Sequence, residues 1–585
     1  MIGYSCKYTP VELFAAYGGE CLLLNREAPD FEYAEGLTHS HFCCHAKAVL
    51  EESRSGLLEG LALVNCCDSL RRVYDVTRSG RGFYFLLDLP HHDDGCARSR
   101  LRAELVRLAE AYEAFSGRAF EAAKFRAAFS PAPALPSVPF LAVLGARVGA
   151  GLLSALRGRS SLPIADFTCG GHRSLPPPPE ELGDSFDALM TWYAGALLAQ
   201  IPCMRMDEIG RRAQLLEHPN LSGVIYHTVK FCDYYSFEYE MLRKTCSLPL
   251  LKLESDFSPS AAGQLATRLD AFLEQLSPVS APHVLRKTGR YVAGIDSGST
   301  TTNAVVLDRE GNLVTSAIVR TGPRAKDGAE KAFSALRGCA PEDMAAVVAT
   351  GYGRSSIPFA TGTVTEITCH ARGARHLNPA VRTIVDIGGQ DSKVICLDET
   401  GAVSNFVMND KCAAGTGRFL ELMARTLEVE LDALGELGLQ WKQDLTISSM
   451  CTVFAESEVV SLIADNHSAA DIIHGLHKSV AVKTAALAKR AGGGPPYMMT
   501  GGVARNPGVV QALEERLETS LWIPEAPDLC GALGAALFAL DSTKAPFPSS
   551  MPPDRSAPPA PPIHCQRRSG NGPRCHKPLH ARIPT

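Results

Sequence analysis

The chain carries one short pattern twice. Gly294-Ile295-Asp296-Ser297-Gly298-Ser299-Thr300-Thr301-Thr302-Asn303 closes one apolar run, and Val385-Asp386-Ile387-Gly388-Gly389-Gln390-Asp391-Ser392-Lys393 closes another. Each reads as a strand that ends in Asp and a tight Gly/Ser/Thr-type turn. Backbone N–H groups and hydroxyls of such a turn hold phosphate oxygens, and the Asp holds Mg²⁺ through water. A third glycine turn, Thr500-Gly501-Gly502-Val503-Ala504, follows the apolar Tyr497–Met499 and precedes a helix. Glycine there admits an adenosine close to the backbone.

In this order the three turns resemble the acetate and sugar kinase, heat-shock ATPase and actin superfamily, over nearly all of residues 291–540. The resemblance implies a two-lobed, actin-like α/β ATPase domain. Asp296, Ser297, Gly298, Ser299, Thr300 and Thr301 from the first loop, Gly388, Gly389, Gln390 and Asp391 from the second, and Gly501 and Gly502 from the third would line the ATP. Asp296, Asp386 and Gln390 would serve catalysis by handling Mg²⁺ and the attacking water.

Nineteen cysteines are the second constraint. Residues 1–10 have no charged-then-apolar export pattern, so a cytoplasmic location and reduced thiols are expected. Many cysteines in such a chain read as metal or cluster ligands, against the alternative of small buried hydrophobes. Two of them sit in Asn409-Asp410-Lys411-Cys412-Ala413-Ala414-Gly415-Thr416-Gly417-Arg418-Phe419 and Met450-Cys451-Thr452-Val453-Phe454-Ala455-Glu456-Ser457-Glu458, each at or just before a helix start. Helix N-termini favour thiolates and anionic clusters. Two thiolates cannot complete a four-iron cluster, which needs four. If Cys412 and Cys451 are ligands, a homodimer sharing one 4Fe–4S cluster follows.

These segments, the glycine loops and Leu529-Cys530-Gly531-Ala532-Leu533-Gly534-Ala535-Ala536 look like the activators of 2-hydroxyacyl-CoA dehydratases and the related benzoyl-CoA reductase ATPases. The resemblance implies that Cys412 and Cys451 hold the shared cluster. It departs at Asn303, where the family usually has Lys.

Residues 1–278 contain a weak internal repeat. Cys43, a helix-like run to Glu52, Gly60, an apolar strand Leu61–Val64 and Cys67-Asp68 form one copy. Cys203, a helix-like run to about Glu217, Gly223, the strand Val224–Tyr226 and Cys232-Asp233 form the other. Cys6 and Cys169 precede the respective copies. Strand, helix and strand at this spacing imply parallel α/β lobes, with ligands beyond the carboxyl ends of the strands. Tyr4–Glu12, Asn65–Tyr74 and Gly223–Tyr235 resemble the D-component of 2-hydroxyacyl-CoA dehydratases. A related group, the double-cubane proteins, joins two four-iron cubanes by a sulfide and draws ligands from both halves of the fold. Cys6, Cys43, Cys67, Cys169, Cys203 and Cys232 fit that group, with Cys44 and Cys66 as one-residue alternatives in register; a single 4Fe–4S cluster would use three.

Between these domains, residues 279–290 read as a linker. Residues 541–585 read as a disordered Pro-rich tail, whose Cys565 and Cys575, beside His564 and His576, could bind a metal. The apolar stretch Val138–Leu156, interrupted by Arg147, reads as a buried helix and not a membrane span. A net charge of −5 excludes a basic footprint for nucleic acid or membrane surfaces.

The resemblances imply an ATP-hydrolysing iron–sulfur enzyme. A ferredoxin or flavodoxin loads the shared cluster, ATP closes the lobes, and the electron passes to the first domain to reduce a small molecule or acyl-CoA. Cluster potentials extend to about −700 mV, and each ~100 mV costs about 2.3 kcal/mol per charge, so a low-potential step of this kind needs an energy source. Two alternatives stay open: a (R)-2-hydroxyacyl-CoA dehydratase component fused to its activator, which is a lyase, and a non-redox kinase or ATPase.

Overall fold

Among the described residues, eighteen strands fall into four sheets, and the sheets fall into two matched pairs. The computed structural model describes residues 1–78, 80–130, 134–171, 173, 175–206, 210–259, 262–276, 289–409, 413–447 and 452–544. Cys412, Cys451, most of the expected linker, and the tail with Cys565 and Cys575 lie outside the described residues.

The first pair is all-parallel. β1 (Ile2–Tyr4), β2 (Cys21–Leu23), β3 (Gly60–Val64) and β4 (Phe83–Leu87) order as β2-β1-β3-β4. β5 (Phe140–Gly145), β6 (Ile164–Asp166), β7 (Leu221–Val229) and β8 (Leu250–Ser255) order as β6-β5-β7-β8. Each sheet reverses its winding between its first and third strands in chain order, so a crevice opens beyond the carboxyl ends of β1 and β3, and of β5 and β7. β3, β5 and most of β7 are buried on both faces. Such a strand reads as an unbroken apolar run, without alternation. That is why the stretch Val138–Leu156, expected as one buried helix, is instead β5 followed by a loop and the helix Ala150–Arg159. Gly145, at φ +96°, ends the strand, and Arg147 falls in the loop.

The second pair mixes hairpins and crossovers. β9 (Tyr291–Ser297), β10 (Thr301–Leu307), β11 (Leu313–Arg320), β12 (Met344–Thr350) and β13 (Gly362–Thr363) order as β11-β10-β9-β12-β13. β14 (Thr383–Ile387), β15 (Ser392–Leu397), β16 (Val403–Asn409), β17 (Tyr497–Thr500) and β18 (Leu521–Trp522) repeat that order as β16-β15-β14-β17-β18. In each, an antiparallel three-strand meander is extended by two parallel strands. This duplicated, two-lobed α/β arrangement is the actin-like fold. The final helix runs from Cys530 through Lys544, past the expected boundary at Leu540. Among the described residues no helix is long and apolar enough to cross a membrane.

Candidate functional site

The two acidic loops face each other across one cleft of about 690 Å³. The duplication sets their registers. Asp296 pairs with Asn303 on β10 and Thr350 on β12. Asp386 pairs with Lys393 on β15 and Thr500 on β17. The turns close alike: Gly298 N–H donates to the Thr301 carbonyl and Gly388 N–H to that of Asp391, both at 3.0 Å. A Cβ on Gly389 would stand 2.0 Å from Thr300 Oγ1, so only glycine lets the two loops approach this closely. Gly501 sits at φ +84°, and a Cβ there would meet the Ile387 carbonyl oxygen at 2.4 Å.

Asp296, Gly298, Ser299, Thr300, Thr301, Gly388, Gly389, Asp391, Gly501 and Gly502 line this cleft together with Asp386. Ser297 does not: it is buried beneath the first loop. Gln390 is exposed and lies outside the lining. Asn303 does line the cleft, and its amide donates to the Asp528 carbonyl at 2.9 Å.

Sequence reasoning missed the helix Glu366–Leu377, which carries Glu366 and His370 into the cleft. His370 lies between the two acids, its Nε2 3.8 Å from Asp296 and its Nδ1 3.6 Å from Asp386. Lys393 reaches Asp391 at 2.9 Å, Asp386 at 3.3 Å and Glu366 at 3.8 Å. Tyr352 donates its hydroxyl to Asp391 at 3.0 Å. Burial pushes the Glu366 carboxyl up to about 8 and raises Asp296. Burial also opposes ionisation of Asp386, but His370, Lys393 and the Thr500 hydroxyl hold it below its ordinary value.

Three buried carboxylates, Glu366, Asp386 and Asp391, therefore contact one lysine, and Asp296 lies on the far side of His370, a set of oxygen donors that suits a hard divalent cation. Among the described residues no three of these groups stand close enough to take a bare ion. That matches Mg²⁺, which keeps several waters and binds through one or two carboxylates plus substrate phosphates. The helix Gly417–Thr426 is tied to the second loop: Gly417 and Arg418 N–H groups donate to the Gly388 and Gly389 carbonyls at 2.9 and 2.8 Å. The segment directly after Cys412 in sequence is thus hydrogen-bonded to the second loop.

The first pair of sheets brings its cysteines to one place. Cys6, Cys43, Cys67, Cys169, Cys203 and Cys232 all line a single narrow cavity of about 50 Å³, and Cys66 joins them. Cys44 does not: it packs into the core beside Val49 and Leu50. Cys43, Cys67 and Cys232 each cap a helix start, at Cys44–Ser53, Asp68–Thr77 and Asp233–Thr245. Cys67 Sγ accepts from the Leu70 N–H at 3.4 Å. The lobes are tied at the cavity by Lys7 N–H to the Cys169 carbonyl at 3.3 Å and Cys44 N–H to the Lys230 carbonyl at 3.2 Å.

The thiols contact one another across this cavity. Hydrogen bonding from Cys66 brings Cys6 down to about 7 and Cys67 down to about 6. Cys43 lowers Cys232 in the same way and is itself driven up. Burial lifts Cys169 to about 12 and raises Cys203. Buried cations surround the thiols. Arg147 donates to the Ser5 and Gly170 carbonyls, and Arg205 to that of Cys66 while lying over the Tyr234 ring.

The donor set fits an iron–sulfur cluster. No group of three ligands converges on one point among the described residues. Thiolates of a cubane need no such point, because each binds a different iron. No described cysteine is in a disulfide. Ser5 Oγ, His45 Nε2 and Arg147 Nε are buried at the cavity without hydrogen-bond partners. Such groups can donate to cluster sulfides, and that hydrogen bonding tunes cluster potential.

Residues 293–539 match the model of the BadF/BadG/BcrA/BcrD ATPase family, and residues 6–131 and 143–276 that of the 2-hydroxyglutaryl-CoA dehydratase D-component. The 2-hydroxyisocaproyl-CoA dehydratase activator of Clostridioides difficile is 45% identical over 257 residues, 43% of this chain and 96% of that one. The (R)-2-hydroxyglutaryl-CoA dehydratase activating ATPase of Acidaminococcus fermentans is 46% identical over 252 residues, 43% of this chain and 96% of that one. A benzoyl-CoA reductase subunit from Thauera aromatica is 34% identical over 261 residues, 42% of this chain and 92% of that one.

Proposed function

The chain belongs to the BadF/BadG/BcrA/BcrD ATPase family, with a dehydratase D-component half ahead of the ATPase, and from that premise we propose that it is an ATP-dependent, low-potential iron–sulfur reductase with donor and acceptor modules in one polypeptide. One observation carries this reading: a two-loop nucleotide cleft and a seven-cysteine cavity occur in the same chain. The clusters, when bound, supply one-electron transfer at low potential.

In the cleft, the hydroxyls of Ser299, Thr300 and Thr301 and the backbone N–H of Gly389 hold the triphosphate. Asp296 and Asp386 hold the waters of Mg²⁺ and orient the attacking water, with His370 bridging the two carboxylates. Gln390, proposed to act in catalysis with them, sits on the exposed turn outside the cleft lining. Lys393 helps hold Asp386 below its ordinary value and pairs with Asp391 at 2.9 Å. Gly417 and Arg418 pass any shift of the second loop to the segment bearing Cys412. Cys412 and Cys451 are two of the four thiolates a shared cluster needs, so the working unit is a homodimer. The helix Thr452–Ala464, which follows Cys451, exposes Val460 at 53% and Ile463 at 42% on one face, an apolar pair suited to a second copy.

In the first module, six thiolates suffice for a double cubane. Such a group would need six cysteine thiolates from the chain. Cys6, Cys43 and Cys67 from one lobe and Cys169, Cys203 and Cys232 from the other supply that number. Arg147, Arg205 and Lys7 offset the negative charge of the assembly. The electron donor is a ferredoxin or flavodoxin, the substrate a small molecule or acyl-CoA, and the setting the cytoplasm.

The match to a dehydratase D-component favours a second reading, a 2-hydroxyacyl-CoA dehydratase component fused to its activator. Iron and acid-labile sulfide on anaerobically purified protein, with EPR after dithionite, separate the readings. About ten irons per chain support the double cubane plus half of a shared cluster. About six point to one cubane in the first module and the lyase. No iron, in a chain that still hydrolyses ATP, leaves a plain ATPase.

A further inference from the structure

The helix Ala262–Leu276 belongs to the cysteine-lined module, yet its side chains engage both lobes of the ATPase. Leu269 and Phe272 share one core with Ile225 and Leu253 on the cysteine side and with Ile367 and Ala371 on the ATPase side. The Glu274 carboxylate accepts three hydrogen bonds: from Thr365 N–H at 3.0 Å, and from the Thr365 and Thr368 hydroxyls, each at 2.5 Å. Thr365 is the N-cap of the helix Glu366–Leu377 and makes no side-chain bond to cap it. Glu274 thus supplies, from the other module, the anion that a helix N-terminus favours. On the same face, Asp270 accepts from Arg354 of the first ATPase lobe at 2.9 Å and from Arg159 of its own module at 3.0 Å. Gln275 donates to the Ser404 carbonyl of the second lobe at 2.9 Å.

The clamped helix is the one that carries Glu366 to Lys393 and His370 to both Asp296 and Asp386. We infer that Glu274 is a positioning residue for ATP hydrolysis, through which the cysteine-lined module fixes the helix that places Glu366 and His370 in the nucleotide cleft. Turnover by one module then depends on the seating of the other. Glu274 touches no part of the cleft lining and acts only through Thr365 and Thr368. Burial raises its carboxyl, and the two threonine hydroxyls pull it back down. Asp270 and Gln275 hold opposite lobes, so a change in the angle between the lobes loads this helix directly.

The inference rests on the ATPase reading, and its test is steady-state MgATP hydrolysis by the full-length protein. Glu274→Ala is expected to lower kcat about tenfold, or about 1.4 kcal/mol of barrier, with KM for MgATP within about twofold. Glu274→Gln, which keeps an acceptor for the Thr365 N–H, should recover most of that loss. Thr368→Val removes one donor from the opposite side and should lower kcat about threefold. Melting curves and iron content confirm folding, and Glu274→Gln and Thr368→Val keep the test alive if the alanine variant does not fold. If these variants melt earlier but keep wild-type kcat and KM, Glu274 only joins the modules and the inference is overturned. A wild-type chain that hydrolyses no ATP sinks the underlying reading, and no variant is needed to see that.

Discussion

In the ATPase module the two lobes place Asp296 and Asp386, Thr350 and Thr500, and Gly298 and Gly388 at matching registers. The cysteine module is duplicated as fully in its strand order, but its functional residues are not matched. Cys67 after β3 corresponds to Cys232 after β7, and Cys43 to Cys203. The remaining pair breaks the pattern: Cys6 follows β1, whereas Cys169 follows β6, and the loop after β5 holds Arg147 instead. A phosphate chain presents similar anionic oxygens to both lobes, so like turns serve it from each side. A buried cluster needs thiolates around it and positive charge to offset them. Under the proposed reading, the buried arginine after β5 would offset the charge of thiolates supplied from the other positions.

The largest effect should come from the cysteines. Cys67→Ala is expected to drop iron from about ten to about two per chain, with only the shared cluster's half remaining. Cys66→Ala should keep the iron, because six thiolates suffice and Cys66 serves as a hydrogen-bond donor to Cys6 and Cys67. Iron and labile sulfide on both variants decide the matter. If Cys66 is the one whose loss empties the module, the ligand register is shifted by one residue.

Next in size is the symmetry of the nucleotide cleft. Asp296→Asn and Asp386→Asn should each cut kcat for ATP hydrolysis by about 100-fold or more, since metal-linked electrostatic stabilisation is worth several kcal/mol. Comparable losses would mean that the duplicated acids share one task. If one variant retains wild-type turnover, the duplication is of the fold and not of the chemistry.

How much of this was readable beforehand follows from the same contrast. The glycine loops and the Cys-Asp strand ends were legible because each combines a strand end with a residue type that only a tight turn or a ligand explains. His370 and Glu366 were not, since they lie within an ordinary-looking helix and acquire meaning only from Asp296, Asp386 and Lys393 across the cleft. Arg147 was hidden by its apolar neighbours, because a strand buried on both faces and a buried helix write the same kind of run. The choice between Cys66 and Cys67 could not be made from spacing, as the turn after β3 brings both thiols to the cavity. Cys412 and Cys451 rest on the sequence resemblance alone.

A mismatch between the two strands that flank the acids gives a smaller effect. Asn303 occupies on β10 the register that Lys393 occupies on β15. Asn303→Lys would set an ammonium opposite Asp296, as Lys393 stands opposite Asp386. KM for MgATP is expected to fall about three- to tenfold, the size of one ordinary hydrogen bond of about 1 kcal/mol. An unchanged or higher KM would show that the cleft depends on the Asn303 bond to the Asp528 carbonyl.

The smallest effect compares how the modules tolerate acid. Each buries one histidine just outside the lining of its site: His227 in the cysteine module and His477 in the ATPase, both 1% exposed. His227 is bonded to the Ala146 carbonyl at 3.1 Å and to Ser255 Oγ at 2.9 Å, and His477 to Asn506 at 3.3 Å. Burial lowers each to about 4, from an ordinary 6.5. Above pH 6.5 neither the folded nor the unfolded form is protonated, so no stability depends on them. As pH falls through 6.5, the unfolded chain gains protons that the folded chain refuses, and stability is lost until about pH 4. At pH 6 the loss is about 0.8 kcal/mol for each histidine. His227→Gln and His477→Gln should each flatten the fall of melting temperature between pH 7 and pH 5.5, and by similar amounts. A flattening confined to His227→Gln would mean that the cysteine module opens first in acid, so that the modules, though packed around one shared helix, unfold as separate units.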